Sequence, residues 1–487
     1  MRYHSTMPLT RRLLAALLAL TLAVPPVGAD NLPELGDVAS NDLSLATEKR
    51  IGQQIMHEIQ ARDMAYLDDP DIETYLNQLG GRLVAVSTDP GMGFFFFPIN
   101  DQSINAFAMP GGFIGVHAGL MLAAESESEL AGVLAHEISH VTQRHIARQV
   151  YQSKKLSIAS MVAMGLALLA ARSSTQGATA AIAGTQAGVL SAQLAFSRDF
   201  ERESDRLGFE ILRKSGYDVR GMSAFFGRLQ KSVRLYENNA TAYLRTHPLS
   251  GERMSDMQNR EVGVPYRQVV DSPDFQLVRA KLRAMRGIPA EAVRDFSGLL
   301  KEQKYPSEAA ARYGLAFAYY RAQDWGAAER ELLAARRLKG GSAMLERLLA
   351  ETRLAQGETQ AGLAVYREAM LRFPLNMGLV YGYGAALIKA RRFDESLRFV
   401  ESQLQNYPAD VRLHRMRAES FAGQGRRAPQ HQALGEAFAL QGQTGAAVEQ
   451  LQLAQRAGDA NFYEQSVIDA RLRELKKQLA EEMRERR

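Results

Sequence analysis

Apolar residues recur every three or four positions over 43–63 and again over 72–86, predicting two amphipathic helices on either side of Asp69-Pro70. The pattern then shortens. FFFFPIN at 94–100 is an aromatic run that follows Gly93 and is interrupted by Pro98, so it reads as a buried strand. INAFAMP, and FIGVH beyond Gly111-Gly112, predict two neighbouring strands, and a helix begins near Glu125. Residues 158–171 are largely apolar and lead into an Ala, Gly and Thr-rich stretch ending at Leu190. This run is too short to span a bilayer, which takes about 20 apolar residues. Two readings of 158–190 stay open: a buried helix pair, or a flap that makes peripheral contact with a membrane.

Near Asp271 a second regime starts. Gln323, Gly357, Arg391 and Gly425 are spaced 34 residues apart, with Ala328, Gly362 and Ser396 five residues after the first three and Ala335, Ala369 and Gln403 twelve after. Pro374 and Pro408 keep the same period, and Tyr319, Leu332 and Tyr366 supply larger packing residues. A 34-residue helix-turn-helix period with small residues at these offsets is the tetratricopeptide signature. Weaker units are expected around Gly287 and Ala292, and around Gly442 and Ala447. Such helix pairs stack into a superhelix whose groove usually takes peptides or partner proteins, with a passive structural arm as the bland alternative. The expected fold is therefore mainly α, with a small sheet in residues 30–271 and an α-helical repeat superhelix in 272–487.

Composition narrows the function. Arg11 and Arg12, an apolar run from Leu13 to Val24 and Val27-Gly28-Ala29 read as a secretory signal over residues 1–29, cleaved after Ala29 and directing the chain to the periplasm. Losing Arg2, Arg11 and Arg12 with no acids takes the formal net charge from +5 to +2, and no basic stripe suited to nucleic acid remains. The chain has no cysteine. That excludes disulfides, a thiol nucleophile and thiolate ligands, so any metal ion is held by histidine and carboxylate.

AGVLAHEISHVTQRH at 131–145 is where chemistry enters. His136 and His140 stand four apart, so on a helix both imidazoles leave one face and can grip a single ion. Glu137, next to the first, is placed to reach a water on the ion, as a general base needs. His57-Glu58 begins alike, but Ala61 stands where the second histidine would be, and it reads as a surface pair. In FSRDFERESDRLGFEIL, Glu201 and Asp205 are again four apart. Glu201 as third ligand gives a His2Glu zinc set with one open position, and Asp205 would fix the tautomer of a liganding histidine. By itself the same helix also reads as a solvated acidic face of Glu201, Glu203 and Asp205.

HEISH followed by ERESD, with NAFAMPGG before and THPLSGER after, resembles the M48 family of zinc metallopeptidases. The resemblance implies an α+β zincin-like domain with a small sheet, one zinc ion per chain, and a third ligand from the E-x-x-x-D helix. Ser204 stands where the family more often has alanine. Family members that also carry tetratricopeptide repeats combine a chaperone-like role in outer-membrane protein assembly with degradation of stalled substrates. The resemblance thus implies unfolded or stalled outer-membrane proteins as substrates, and assembly machinery as the partner of the repeats.

The remaining site residues have particular expected roles. Asn105 would orient a substrate backbone added along an edge strand. His145 is rotated off the ligand face, and so lies behind the ligands or at the surface, while His117 is structural. His247, in Thr246-His247-Pro248, either occupies the open metal position and holds the enzyme off, with Ser250-Gly251 as a hinge, or stabilises an oxyanion. The leading expectation is a zinc endopeptidase acting on misassembled envelope proteins. The runner-up is a chaperone or scaffold that seldom uses its metal site, although Glu137 has no purpose in a structural site. A peptidoglycan hydrolase lacks any sugar-binding pattern.

Overall fold

The computed structural model describes residues 43–61, 66–153, 197–235, 241–338 and 341–485. The expected signal at 1–29 and the stretch 158–190 lie outside the described residues. Two helices come first, α1 (Leu45–Ala61) and α2 (Pro70–Val84). Pro70 does not merely interrupt a helical pattern: it opens α2, where a missing N–H costs nothing, and Asp69 caps the helix by accepting from the Asp71 and Ile72 amides.

Three strands follow, β1 (Phe95–Ile99), β2 (Ala106–Met109) and β3 (Phe113–His117), in the order β1-β3-β2. β3 pairs parallel to β1 and antiparallel to β2. FIGVH is thus the central strand and β2 an edge among the described residues. Asn77 ties α2 to the sheet, donating to the Phe96 carbonyl and accepting from its amide.

Short α3 (Ala118–Ala123) leads into α4 (Glu127–Thr142), capped by Ser126, which accepts from the Glu129 amide. Every residue from Glu127 to Val141 is buried. A helix with no exposed face must be covered on all sides, and α2, β2, α6 and α7 supply the cover. Those last two belong to the run α5 (His145–Ser153), α6 (Arg198–Lys214), α7 (Arg220–Leu235), α8 (Thr241–Thr246) and α9 (Gly251–Glu261). Helix α6 lies close against α4 because Gly208 has no side chain: a Cβ there would come within 3.1 Å of the His136 amide nitrogen.

From Pro273 the chain is all helix: α10 (Pro273–Met285), α11 (Pro289–Lys301), α12 (Glu308–Arg321), α13 (Trp325–Arg336), α14 (Ala343–Ala355), α15 (Thr359–Arg372), α16 (Met377–Lys389), α17 (Phe393–Asn406), α18 (Val411–Gly423), α19 (Arg427–Leu440), α20 (Thr444–Arg456) and α21 (Phe462–Glu485). Gln323, Gly357, Arg391 and Gly425 all have positive φ, at 61°, 86°, 58° and 75°. Each closes the first helix of a pair in the same way, its own N–H bonding three residues back and the next residue's N–H five residues back. The 34-residue register therefore marks the left-handed turn inside each repeat. Ala328, Ser396, Ala335 and Ala369 are buried at the helix crossings, and at Gly362 a Cβ would meet Leu354 at 2.7 Å.

The array folds back on the first domain. The apolar core is continuous from Leu76 and Phe96 through Phe275 and Tyr313 to Leu387. Across this seam, buried Lys281 lies 2.7 Å from both Asp69 and Asp71, and Arg347 2.9 Å from Asp71. Arg412 reaches Asp68 and Glu73, and His57 on α1 meets Gln443.

Candidate metal centre

The site is assembled from four elements. α4 brings His136, Glu137 and His140; α6 brings Glu201 and Asp205; the turn after α8 brings His247; and α9 brings Arg253. His136, His140, Glu201 and His247 are all buried, each offering one donor atom within 4.8 Å of the others. The i, i+4 spacing puts the Nε2 atoms of His136 and His140 3.1 Å apart. The Glu201 carboxylate lies 3.5 Å from the first and 3.4 Å from the second.

The second contacts of the imidazoles come from α5 and α6. Asp205 Oδ1 lies 3.0 Å from His136 Nδ1. His140 Nδ1 is 3.0 Å from His145 Nδ1, and His145 Nε2 is 3.1 Å from Glu203. Glu201 and Asp205 thus occupy the buried stripe of α6, while Glu203 stands at its edge beside Arg148. Ser204 fits into the same stripe, its hydroxyl 3.4 Å from His145 Nδ1.

With its Nδ1 turned to Asp205, His136 presents Nε2 as a lone pair toward His140 Nε2 and Glu201. Acceptors that converge in this way repel unless a cation lies between them, so the residues present fit a metal ion. The electrostatics agree. Burial opposes charge on His136, yet its contacts to Asp205 and Glu201 carry the pKa up to about 9, so with no ion bound a proton on Nε2 supplies the positive charge that a metal would replace. His140 is pushed well below the usual histidine value, chiefly by burial, and stays neutral as a ligand must. Glu201 resists burial and stays ionised because His247, His136 and His140 surround it. Burial raises the pKa of Glu137, and one of its oxygens has no partner.

His247 is nearly inaccessible. Its Nδ1 lies 2.9 Å from Glu201 Oε1 and 3.4 Å from His136 Nε2, and its Nε2 3.5 Å from Glu137 Oε1. Asn105 is fully buried just ahead of edge strand β2, and its carbonyl accepts from the His117 amide. His117 is itself buried, with Ser103 at 2.9 Å.

Two neighbours escaped the sequence reading. Tyr243, four residues before His247, stacks on that imidazole with ring centroids 4.6 Å apart and donates to Glu137 Oε1 at 3.3 Å. Arg253 grips Asp205 through Nε and Nη2 at 2.7 and 2.8 Å. An i−4 spacing to His247 was the available signal for Tyr243, and position within THPLSGER for Arg253.

Sequence comparison agrees with this geometry. The Peptidase family M48 model matches residues 70–261, and a tetratricopeptide repeat model matches residues 353–419. The chain belongs to peptidase family M48 and is a metalloendopeptidase with appended tetratricopeptide repeats. It is similar to the putative beta-barrel assembly-enhancing protease of Vibrio cholerae, at 32% identity over 94% of this chain and 96% of that protein. The beta-barrel assembly-enhancing protease of Escherichia coli is 30% identical over 92% of each chain. The mitochondrial metalloendopeptidase OMA1 of Schizosaccharomyces pombe is 28% identical over 45% of this chain and 62% of that protein.

Proposed function

We propose that the chain is a zinc-dependent endopeptidase of the periplasm that assists outer-membrane protein assembly and degrades misassembled or stalled envelope proteins. One observation carries the chemical part: ligand atoms of His136, His140 and Glu201 converge in a buried site beside Glu137. These three residues hold one zinc ion, which when bound supplies Lewis acidity and lowers the pKa of water to about 7. Glu137 receives the proton of the attacking water and passes it to the leaving amine, and its raised pKa suits both acts. Asp205 fixes the tautomer of His136. His140 donates from Nδ1 to His145, which burial keeps neutral and which donates in turn to Glu203.

His247 is the fourth donor, and it keeps the enzyme off until its loop moves. Its approach to Glu201 and both imidazoles favours this reading over an oxyanion role. A substrate strand adds alongside β2, with Asn105 acting through the position of that strand rather than through an exposed amide. Residues 30–271 carry the chemistry and 272–487 recruit unfolded outer-membrane proteins or their assembly machinery, the two parts sharing one core. The signal at 1–29, cleaved after Ala29, directs the chain to the periplasm. Metal analysis of the purified mature chain, with casein cleavage by wild type and Glu137→Gln, tests the reading. A zinc-free wild type that still cleaves casein sinks it.

A further inference from the structure

We propose that Arg253 is the positioning residue of the metal centre: it pairs with Glu201 and Asp205, fixing how both carboxylates face the imidazoles, and anchors the backbone beside His247. The inference rests on the ligand set proposed above. Arg253 is the third residue of α9, where Ser250 fixes its amide by accepting it at 3.2 Å, and its side chain is 3% exposed. Nη1 lies 2.6 Å from Glu201 Oε2 and donates to the Pro248 carbonyl at 2.7 Å. Nε and Nη2 form a fork on Asp205, which faces His136.

Glu201 Oε1 lies 2.9 Å from His247 Nδ1 and 3.4 Å from His140 Nε2, and Oε2, the oxygen beside Arg253, lies 3.5 Å from His136 Nε2. The guanidinium thus holds in place a carboxylate whose two oxygens both face the imidazoles that would share the ion with it. The same guanidinium holds the carbonyl next to His247, so the permanent donor and the removable one share a clamp. Contacts to three partners from one planar group require arginine, because an ammonium has no fork to lay on Asp205 while also reaching Glu201.

Zinc dissociation constants from chelator competition, and absorption spectra of the cobalt-substituted protein, test this on wild type, Arg253→Met, Arg253→Lys and Glu201→Gln. Arg253→Met is expected to weaken zinc binding by about 10 to 100-fold and to change the cobalt spectrum, with Arg253→Lys in between. The inference is overturned if Arg253→Met binds zinc within twofold of wild type with an unchanged spectrum. Should that variant fail to fold, Arg253→Lys decides by the same two readouts. Glu201→Gln separates the two levels. If it keeps wild-type affinity, the ligand assignment fails and this inference with it; if it loses zinc while Arg253→Met keeps it, only the role of Arg253 falls.

Discussion

Two of the places where the chain buries charge make a contrast, and only one of them asks for an ion. At the seam between α2 and the repeats, Asp69 and Asp71 face Lys281 and Arg347, two acids against two bases. Burial alone would raise the pKa of Asp71, but the two cations hold it below the usual carboxylate range. At the centre, Glu137, Glu201 and Asp205 have Arg253 as their one guanidinium among the described residues, with imidazole nitrogens turned inward as well. Burial of ionisable groups therefore does not mark a functional site. An excess of acceptors does, because a structural cluster is stable only when its charges are matched.

Variants can break this contrast, and the largest expected effect is at the centre. Glu137→Gln removes a proton acceptor and no ligand, so proteolysis should fall by about 10² to 10⁴-fold with zinc still bound. A variant that also loses its zinc would show that Glu137 has another task. His247→Ala should raise basal casein cleavage at matched zinc loading, since the centre's fourth donor is removable where the seam's cations are not. A fall of about 10² to 10³-fold would instead assign His247 to the oxyanion.

At the seam the readout is stability. Lys281→Met leaves Asp71 buried with Arg347 alone, and should cost about 3 to 5 kcal/mol in urea unfolding while zinc affinity holds. A change in zinc affinity would mean the two clusters are coupled. Removing the chain from residue 272 onward takes away both cations and should destabilise α2 further. Asp205→Asn has a smaller effect at the centre, expected to weaken zinc binding by about 10 to 100-fold. Normal affinity in that variant would leave His136 oriented by something else.

The legible parts of this molecule are those set by local period. HEISH places two imidazoles together because 3.6 residues per turn is a property of any helix, and Glu201 and Asp205 share a stripe for the same reason. The strand pair at 106–117 followed from Gly111-Gly112. A helical wheel could not place His145, because the wheel stops at Arg144. There φ is 52°, held by contacts to Glu48 and the Leu43 carbonyl, and α5 restarts in a new direction that brings His145 back onto His140. Lys281 was invisible, and Arg253 was marked only by its place in THPLSGER, for a different reason. Their partners lie 48 residues away in one case and more than 200 in the other, and an isolated basic residue carries no pattern that says it is buried.

The repeat turns give the smallest test. Gly357 and Gly425 adopt positive φ without steric cost, whereas Arg391 holds φ 58° with a Cβ. Left-handed backbone costs a non-glycine residue roughly 1 to 2 kcal/mol, and glycine returns part of that through the entropy of its unfolded chain. The Arg391 side chain is exposed, so Arg391→Gly loses little else. A net gain of about 0.5 to 1 kcal/mol is expected, small for a protein of this size but visible as a rise in Tm of about 1 to 2 °C. Arg391→Ala keeps the Cβ and should gain nothing, which separates backbone strain from any effect of charge. Neither change touches α4, α6 or the Asp71 cluster, so zinc affinity should stay at the wild-type value. Equal melting temperatures for the glycine and alanine variants would sink the strain argument, and a shift in zinc affinity would show that the array and the centre are not independent.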